Sequence, residues 1–507
     1  MRWLKQYPWY TLLFAMYSPM ALIAYNVGQV QFSAVLRSML VILVAVFILT
    51  SLLIFLLHDP HKAGLIVTLV LVLFFSYGHV YELVAKTNIG GVLIGRHRYL
   101  LIFYGLILFG GVFWIIKSKS SFAQWSSVLT TISIIALVFP VYQLIAYQVK
   151  TRPSQSTVSA APAREITARS KENLPDIYYI ILDTYGRTDV LKKYADYDNS
   201  SFIEALEKQG FYVAKCSQSN YAQTALSLSS SLNFNYLDKI GLDIAAAKRE
   251  DVIAPYIKHN AVVEHMRQMG YKIVAFKTGY DFSTIDDADI LYSAPHTGIS
   301  DFELTLLRST VLVLMDDAGM LNGIYPTAAQ NRRDMVLRQF RTLKNLPSVP
   351  GPKFVFAHLL VPHWPFIFGS NGESLVATDF VETARGVTDK EYFDGYRGQA
   401  IFTSNQILDV VSEIIKKSDP APIIIIQGDH GPNHAGNAAR MGILNAYYFP
   451  EGQTSGLYPT ITPVNSFPVV FNTFFGEDVE LRPDTSYHSL YKSLENTTII
   501  PNNCKSE

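Results

Sequence analysis

The stretch IIIIQGDHGPNHAG, residues 423–436, runs four isoleucines into a glycine, an aspartate and two histidines. A β-branched apolar run of this length reads as a strand buried on both faces, the kind found in the middle of a parallel sheet. Ligands of such sheets collect at the carboxyl ends of the strands, so Asp429 and His430 fall where chemistry is expected.

The surrounding sequence supports that sheet. DIYYIIL (176–182), YKIVAF (271–276) and KFVFAHLL (353–360) are further buried strands. Helical segments lie between them. Ser201 and Glu204 have the spacing of a capping box for a helix over 202–209, with Gly210 as its stop. Asn260 caps AVVEHMRQM and Gly270 closes it. Phe402, Ile407, Leu408, Val411 and Ile415 form one apolar helix face leading into 422–427. Strands alternating with helices in this way predict a mostly parallel sheet covered on both sides.

Three strand ends then converge. The first ends at Asp183, the next runs through His358 to His363, and the last ends at Asp429 and His430. Aspartate and imidazole together suit a divalent ion such as zinc, manganese or magnesium. His358 lies within its strand and reads as structural.

The first 150 residues have a different composition. Apolar runs at 9–24, 35–57, 63–81, 99–116 and 128–147 approach the roughly 20 residues that cross a bilayer. The first is too long and too soon followed by others to be a cleaved signal peptide. The expected division is therefore a transmembrane domain over 1–147, a linker over 148–174 rich in Ser, Ala, Thr and charge, and a catalytic domain over 175–507. Five crossings place that domain opposite the N-terminus. Arg2, Lys5, Lys62, Lys117 and Lys119 fall on one side and Arg37, Lys86, Arg96 and Arg98 on the other, so the positive-inside rule is nearly balanced. Glu82 sits near a span edge and few other ionisable residues fall in the runs, which argues for an anchor over a transporter. A net charge of zero gives no support to a nucleic-acid partner, and two cysteines, Cys216 and Cys504, are too few for a disulfide framework.

A reactive group remains to be found. SNYAQTALSLSSSLN (219–233) carries Thr224 in a run of small hydroxylated residues, which by composition is an ordinary loop or cap; a threonine hydroxyl needs a base or a metal to become a nucleophile. The order strand–Asp183, Thr224 in QTALSLSSS, His363 in VPHWPF and Asp429-His430-Gly431 in GDHG resembles the sulfatase-like branch of the alkaline phosphatase superfamily. Within it the chain looks most like the membrane-anchored lipoteichoic acid synthases and phosphoethanolamine transferases.

The resemblance implies an alkaline phosphatase/sulfatase-like α/β domain behind about five spans, with Asp183, Thr224, Asp429 and His430 as ligands of one divalent ion; a second ion is left open. It makes Thr224 the nucleophile, and His363 the residue that steadies the phosphate or protonates the leaving group. His434 has no counterpart and is left between a second metal, a phosphate oxygen and a plain loop role; Arg440 is a candidate phosphate clamp. The Cys- or Ser-x-Pro-x-Arg motif of true sulfatases is missing. The implied activity is transfer of a phosphoethanolamine- or phosphoglycerol-type head group from a membrane lipid to an envelope glycan or lipid, outside a bacterial cell membrane. The alternatives are a phosphodiesterase, phosphatase or sulfuric-ester hydrolase of the same fold, and a non-catalytic envelope-binding protein.

Overall fold

The computed structural model describes residues 7–26, 33–85, 87–89, 92–93, 95–150, 174–242, 250–293, 300–320, 328–375, 387–490 and 493–504. Most of the expected linker, and Arg2, Lys5 and Lys86, lie outside them. The chain divides into two compact units, one formed by 1–149 with 296–328 and the other by 150–295 with 329–507.

The first unit is helical: α1 (Tyr10–Tyr25), α2 (Ser33–Leu57), α3 (Pro60–Val84), α4 (His97–Lys117) and α5 (Ala123–Lys150). Four of these, α2 to α5, are long and apolar enough to cross a membrane. The expected fifth span is corrected: α1 has 16 residues, about 24 Å at 1.5 Å per residue, against a hydrocarbon core of about 30 Å. It packs beside α2, with Tyr7 stacked on Phe47 and Thr11 beside Thr50.

The excursion 296–328 has no counterpart in the sequence reading. Its helix Asp301–Arg308 starts with a capping box from Ser300 and Glu303. Glu303 pairs with Arg37 at the start of α2, and Ser309 accepts a hydrogen bond from Gly78 near the end of α3. Asp317 meets His97 at the start of α4, 3.0 Å away. At the other end of the bundle Lys62 donates to the carbonyls of Ile116 and Ser118. Lys62 and Arg37, placed on opposite sides from the sequence, thus lie at different ends of the bundle, and 300–320 packs at the end that carries Arg37 and His97.

The second unit holds a seven-stranded sheet: β1 (Ile177–Leu182), β2 (Phe211–Val213), β3 (Lys272–Phe276), β4 (Ile290–Tyr292), β5 (Lys353–Leu359), β6 (Ile423–Gly428) and β7 (Asn445–Tyr448), in the order β2-β7-β6-β1-β5-β3-β4. β1 pairs in parallel with both β5 and β6, and β7 is the antiparallel exception. The mostly parallel α/β sheet expected from the sequence is present, and every residue of β1, β5 and β6 is buried. One face carries Ile177, Tyr179, Ile181 and Ile425 with the helix Thr224–Ser231. The other carries Tyr178, Ile180 and Leu182 with the long helix Asp389–Lys417.

Local signals mostly hold. Asn260 caps its helix by accepting from Val263 at 2.8 Å, and Gly210 and Gly270 end theirs at φ +94 and +87. The Ser201/Glu204 capping box does not form: the helix begins one residue earlier, at Ser200, whose N–H and hydroxyl are taken by Asp198.

Cys216 and Cys504 form a disulfide across 288 residues. It ties the C-terminal segment to the chain leading into Thr224, and its cross-link confines the unfolded chain. Unreduced, denatured protein should therefore titrate with no free thiol. Cys504→Ser should lose about 2–5 kcal/mol of stability, read as a lower melting temperature; two free thiols in the unreduced protein would contradict the pairing.

Candidate metal centre

Strand register builds this site. Ile181 in β1 lies opposite His358 in β5 and Gln427 in β6. Side chains alternate with period two, so Asp183 and Asp429, two residues beyond Ile181 and Gln427, continue the same face as His358. The three side chains are buried, and their ligand atoms lie within 4.8 Å of one another. The backbone locks the strand ends together. Asp183 N–H donates to the Leu359 carbonyl at 3.0 Å, and a Cβ on Gly428 would meet the Tyr185 carbonyl oxygen at 2.3 Å, which is why glycine follows the isoleucine run.

Asp429 is held by its Oδ1, which accepts from the N–H groups of Thr184 and His430, each at 2.9 Å. To reach it Thr184 adopts φ +68, a left-handed conformation costly for a β-branched residue. Tyr396 holds this turn by donating to the Thr184 carbonyl at 2.8 Å. What remains unpaired is informative: both oxygens of Asp183, Oδ2 of Asp429 and Nε2 of His358 are buried without a hydrogen-bond partner. Burial of such groups is costly without compensation, and a cation supplies it. The donor set, carboxylate oxygens with imidazole nitrogen, fits a divalent ion.

His358 was set aside as structural from the sequence, and the structure corrects that. Its Nε2 lies 3.3 Å from Asp183 Oδ2, and its Nδ1 is 3.2 Å from Ser283 Oγ, itself bonded to Thr278. The Ser283 hydroxyl at Nδ1 fixes the ring so that Nε2 faces Asp183. The alternation that hides His358 in a strand also places it beside Asp183, but only once the register is known.

Thr224 opens the helix Thr224–Ser231, and its Oγ1 is 3.3 Å from His430 Nε2. His430 Nδ1 faces the Gly431 carbonyl at 2.8 Å, which makes Nδ1 the N–H and leaves Nε2 as an acceptor or ligand, 3.6 Å from Asp429 Oδ2. Burial pushes the His430 pKa down, and the Arg440 charge adds to this against Asp429. His363 is half-buried on the loop after β5. Its Nδ1 sits on the Trp364 carbonyl, and Gln399 of the long helix clamps the loop by donating to the His363 carbonyl at 2.8 Å while accepting from Ile367. Burial lowers its pKa too, with Asp183 opposing and Arg332 and His430 contributing. For Asp183 burial acts upward, but the imidazoles of His363, His358 and His430 outweigh it and hold the carboxyl well below the ordinary range.

The two weaker candidates have partners of their own. Arg440 donates from Nε to the Ala222 carbonyl at 2.6 Å, bracing the chain two residues before Thr224. His434 bonds to Asp389 at 2.8 Å and stacks on Tyr392.

No family model and no curated protein matches this chain. Solved structures are similar to it. The integral membrane lipooligosaccharide phosphoethanolamine transferase A (EptA) from Neisseria meningitidis is 10% identical, over 92% of this chain and 94% of that one, with a TM-score of 0.43. The zinc complex of the C-terminal periplasmic domain of EcEptC from Escherichia coli is 12% identical over 65% of this chain and 94% of that one, TM-score 0.42. A protein in the alkaline phosphatase superfamily from Vibrio parahaemolyticus is 7% identical over 65% and 78%, TM-score 0.40. A likeness this remote does not assign chemistry, so the roles proposed below rest on the side chains themselves.

Asp183→Asn and Asp429→Asn should each abolish metal binding to the purified protein, and His358→Ala should weaken it roughly 10–100-fold, read by plasma emission after dialysis against a metal buffer. His434→Ala should keep the wild-type content. Full occupancy in both aspartate variants would place the ion elsewhere.

Proposed function

We propose that this chain is a membrane-anchored, metal-dependent phosphotransferase of the sulfatase-like type, moving a phospho-substituted head group from a lipid donor to an envelope glycan or lipid through Thr224. The observation that carries this reading is a helix-terminal hydroxyl 3.3 Å from His430, whose ring lies 3.6 Å from one of two buried carboxylates that lack hydrogen bonds on three of their four oxygens.

Asp183, Asp429 and His430 would hold the ion, with Thr224 Oγ1 at its edge and His358 adding a nitrogen donor. When bound, a divalent ion supplies Lewis-acid polarisation of a phosphoryl oxygen and charge compensation for the nucleophile. The chain's own residues do the rest. Thr224 stands at the first position of its helix, where unpaired N–H groups and the helix dipole favour developing negative charge. In the first step Thr224 Oγ1 bonds to phosphorus as the bond to the lipid oxygen breaks, and the Thr224 hydroxyl proton passes by way of His363 to the lipid oxygen, which leaves as an alcohol. In the second an acceptor hydroxyl attacks and gives its proton to His363, the P–Oγ1 bond breaks, and His363 returns that proton to Thr224 Oγ1. A lowered pKa keeps His363 neutral and able to accept it.

One observation supports a site outside the cytoplasm: the second unit carries a disulfide, a feature of oxidising compartments. No ATP is available outside, so a lipid head group is the accessible phosphoryl donor. The membrane anchor also raises the effective concentration of lipid-borne partners.

Incubation with phosphatidylethanolamine or phosphatidylglycerol vesicles should leave a mass adduct on the Thr224 peptide, and Thr224→Ala should form none and lose on the order of a thousandfold or more in turnover. An added glycan or glycolipid acceptor should divert product from hydrolysis to transfer. An adduct that only water resolves makes the enzyme a phosphodiesterase; activity surviving Thr224→Ala contradicts the mechanism.

A further inference from the structure

The helix Ala328–Asn345 turns Val336, Phe340 and Leu343 into the core behind the sheet. Four residues before Val336, on that same stripe, stands Arg332. It is 7% exposed. Its neighbour Arg333 is fully used, lying over the Phe368 ring at 4.5 Å and bonding to the carbonyls of Ile367 and Gly372. Arg332 makes one hydrogen bond, from Nη2 to the Leu360 carbonyl at 3.2 Å, and its Nε is buried without a partner. Among the described residues no carboxylate pairs with it. A buried guanidinium left without an anion is costly, and a planar fork of N–H donors is matched to the oxygens of a phosphate.

Its position says which anion would pair with it. Leu360 follows Leu359, whose carbonyl receives the Asp183 N–H, and lies between His358 and His363 in the chain. Arg332 is also close enough to His363 to depress its pKa. The bond to the Leu360 carbonyl thus sets the guanidinium beside the chain that links β5 to His363, while His430 follows β6 and Thr224 opens its own helix.

We propose that Arg332 binds the non-bridging phosphoryl oxygens of the substrate, the anion-binding role for which Arg440 was the sequence candidate. Arg332 has a buried Nε without a partner and, among the described residues, no counter-ion. The inference rests on the phosphoryl-transfer reading above and adds to it the residue that holds the phosphate.

The test uses the full-length, metal-loaded protein in detergent, with inorganic phosphate as the titrated anion in calorimetry and a soluble phosphodiester in kinetics. Arg332→Gln should keep its metal and its melting temperature, bind phosphate roughly 10–100-fold more weakly, and raise KM in proportion while still forming the Thr224 adduct at saturating substrate. Arg332→Lys, which restores the charge without the fork, should recover part of the loss. Unchanged phosphate affinity in Arg332→Gln overturns the proposal. So does loss of metal and thermal stability in both variants, the result expected of a residue that only holds the Leu360 carbonyl. Wild-type protein that binds metal but no phosphate would overturn the phosphoryl-transfer reading itself, and the role of Arg332 with it.

Discussion

Two aspartates, Asp183 and Asp429, are buried at the ends of adjacent parallel strands with three of their four oxygens unpaired. Like charges this close in a low-dielectric interior repel strongly, and no lysine or arginine among the described residues forms an ion pair with either. Neighbouring imidazoles lower the Asp183 pKa, but a neutral ring brings no positive charge of its own, whereas a cation shared with the carboxylates would. Much else in the second unit follows from this need for a cation. The register of β1 with β5 and β6 sets the distance between the carboxylates, and Gly428 lets the turn after β1 approach β6.

The surroundings are arranged to hold these groups still. Thr184 remains in a left-handed conformation because its N–H is needed by Asp429 and its carbonyl is held by Tyr396. Such strain persists only where the surrounding structure over-determines it, and it gathers at functional sites. Gln399 fixes the His363 loop, Ser283 orients His358 and Arg440 braces the approach to Thr224. Each comes from a different element, so the reacting groups are positioned by the packed core more than by their own loops.

The sheet was legible in the sequence because β-branched runs buried on both faces have few other readings; β1, β3, β5 and β6 fall within a residue or two of their expected bounds. Asp183 and Asp429 could be placed together from the sequence because strand ends in such sheets lie side by side, and the structure puts their ligand atoms within 4.8 Å of one another. Other features depend on register or distant packing. His358 looks structural until β5 is aligned with β1, and Arg332 sits in QNRRDMVLRQF like a surface arginine until the helix's inward face is known. The docking of 300–320 on the helical unit rests on Glu303, Ser309 and Asp317 meeting residues more than 200 positions earlier. The pairing of Cys216 with Cys504 depends on the C-terminal segment returning to the chain before Thr224. The α1 run forms a helix of 16 residues, against 21 in α4, the shortest of the four spanning helices.

The central claim is that one divalent ion binds among Asp183, Asp429 and their histidines. Anomalous diffraction from crystals of the metal-loaded protein, collected on either side of the ion's absorption edge, tests it most directly. The account predicts a single strong peak within about 2.0–2.2 Å of carboxylate oxygens from both Asp183 and Asp429 and of a histidine nitrogen from His430 or His358, with Thr224 Oγ1 beside it. A peak at His434 and Asp389, or none near the two strand-end carboxylates in protein shown to carry metal, would contradict it.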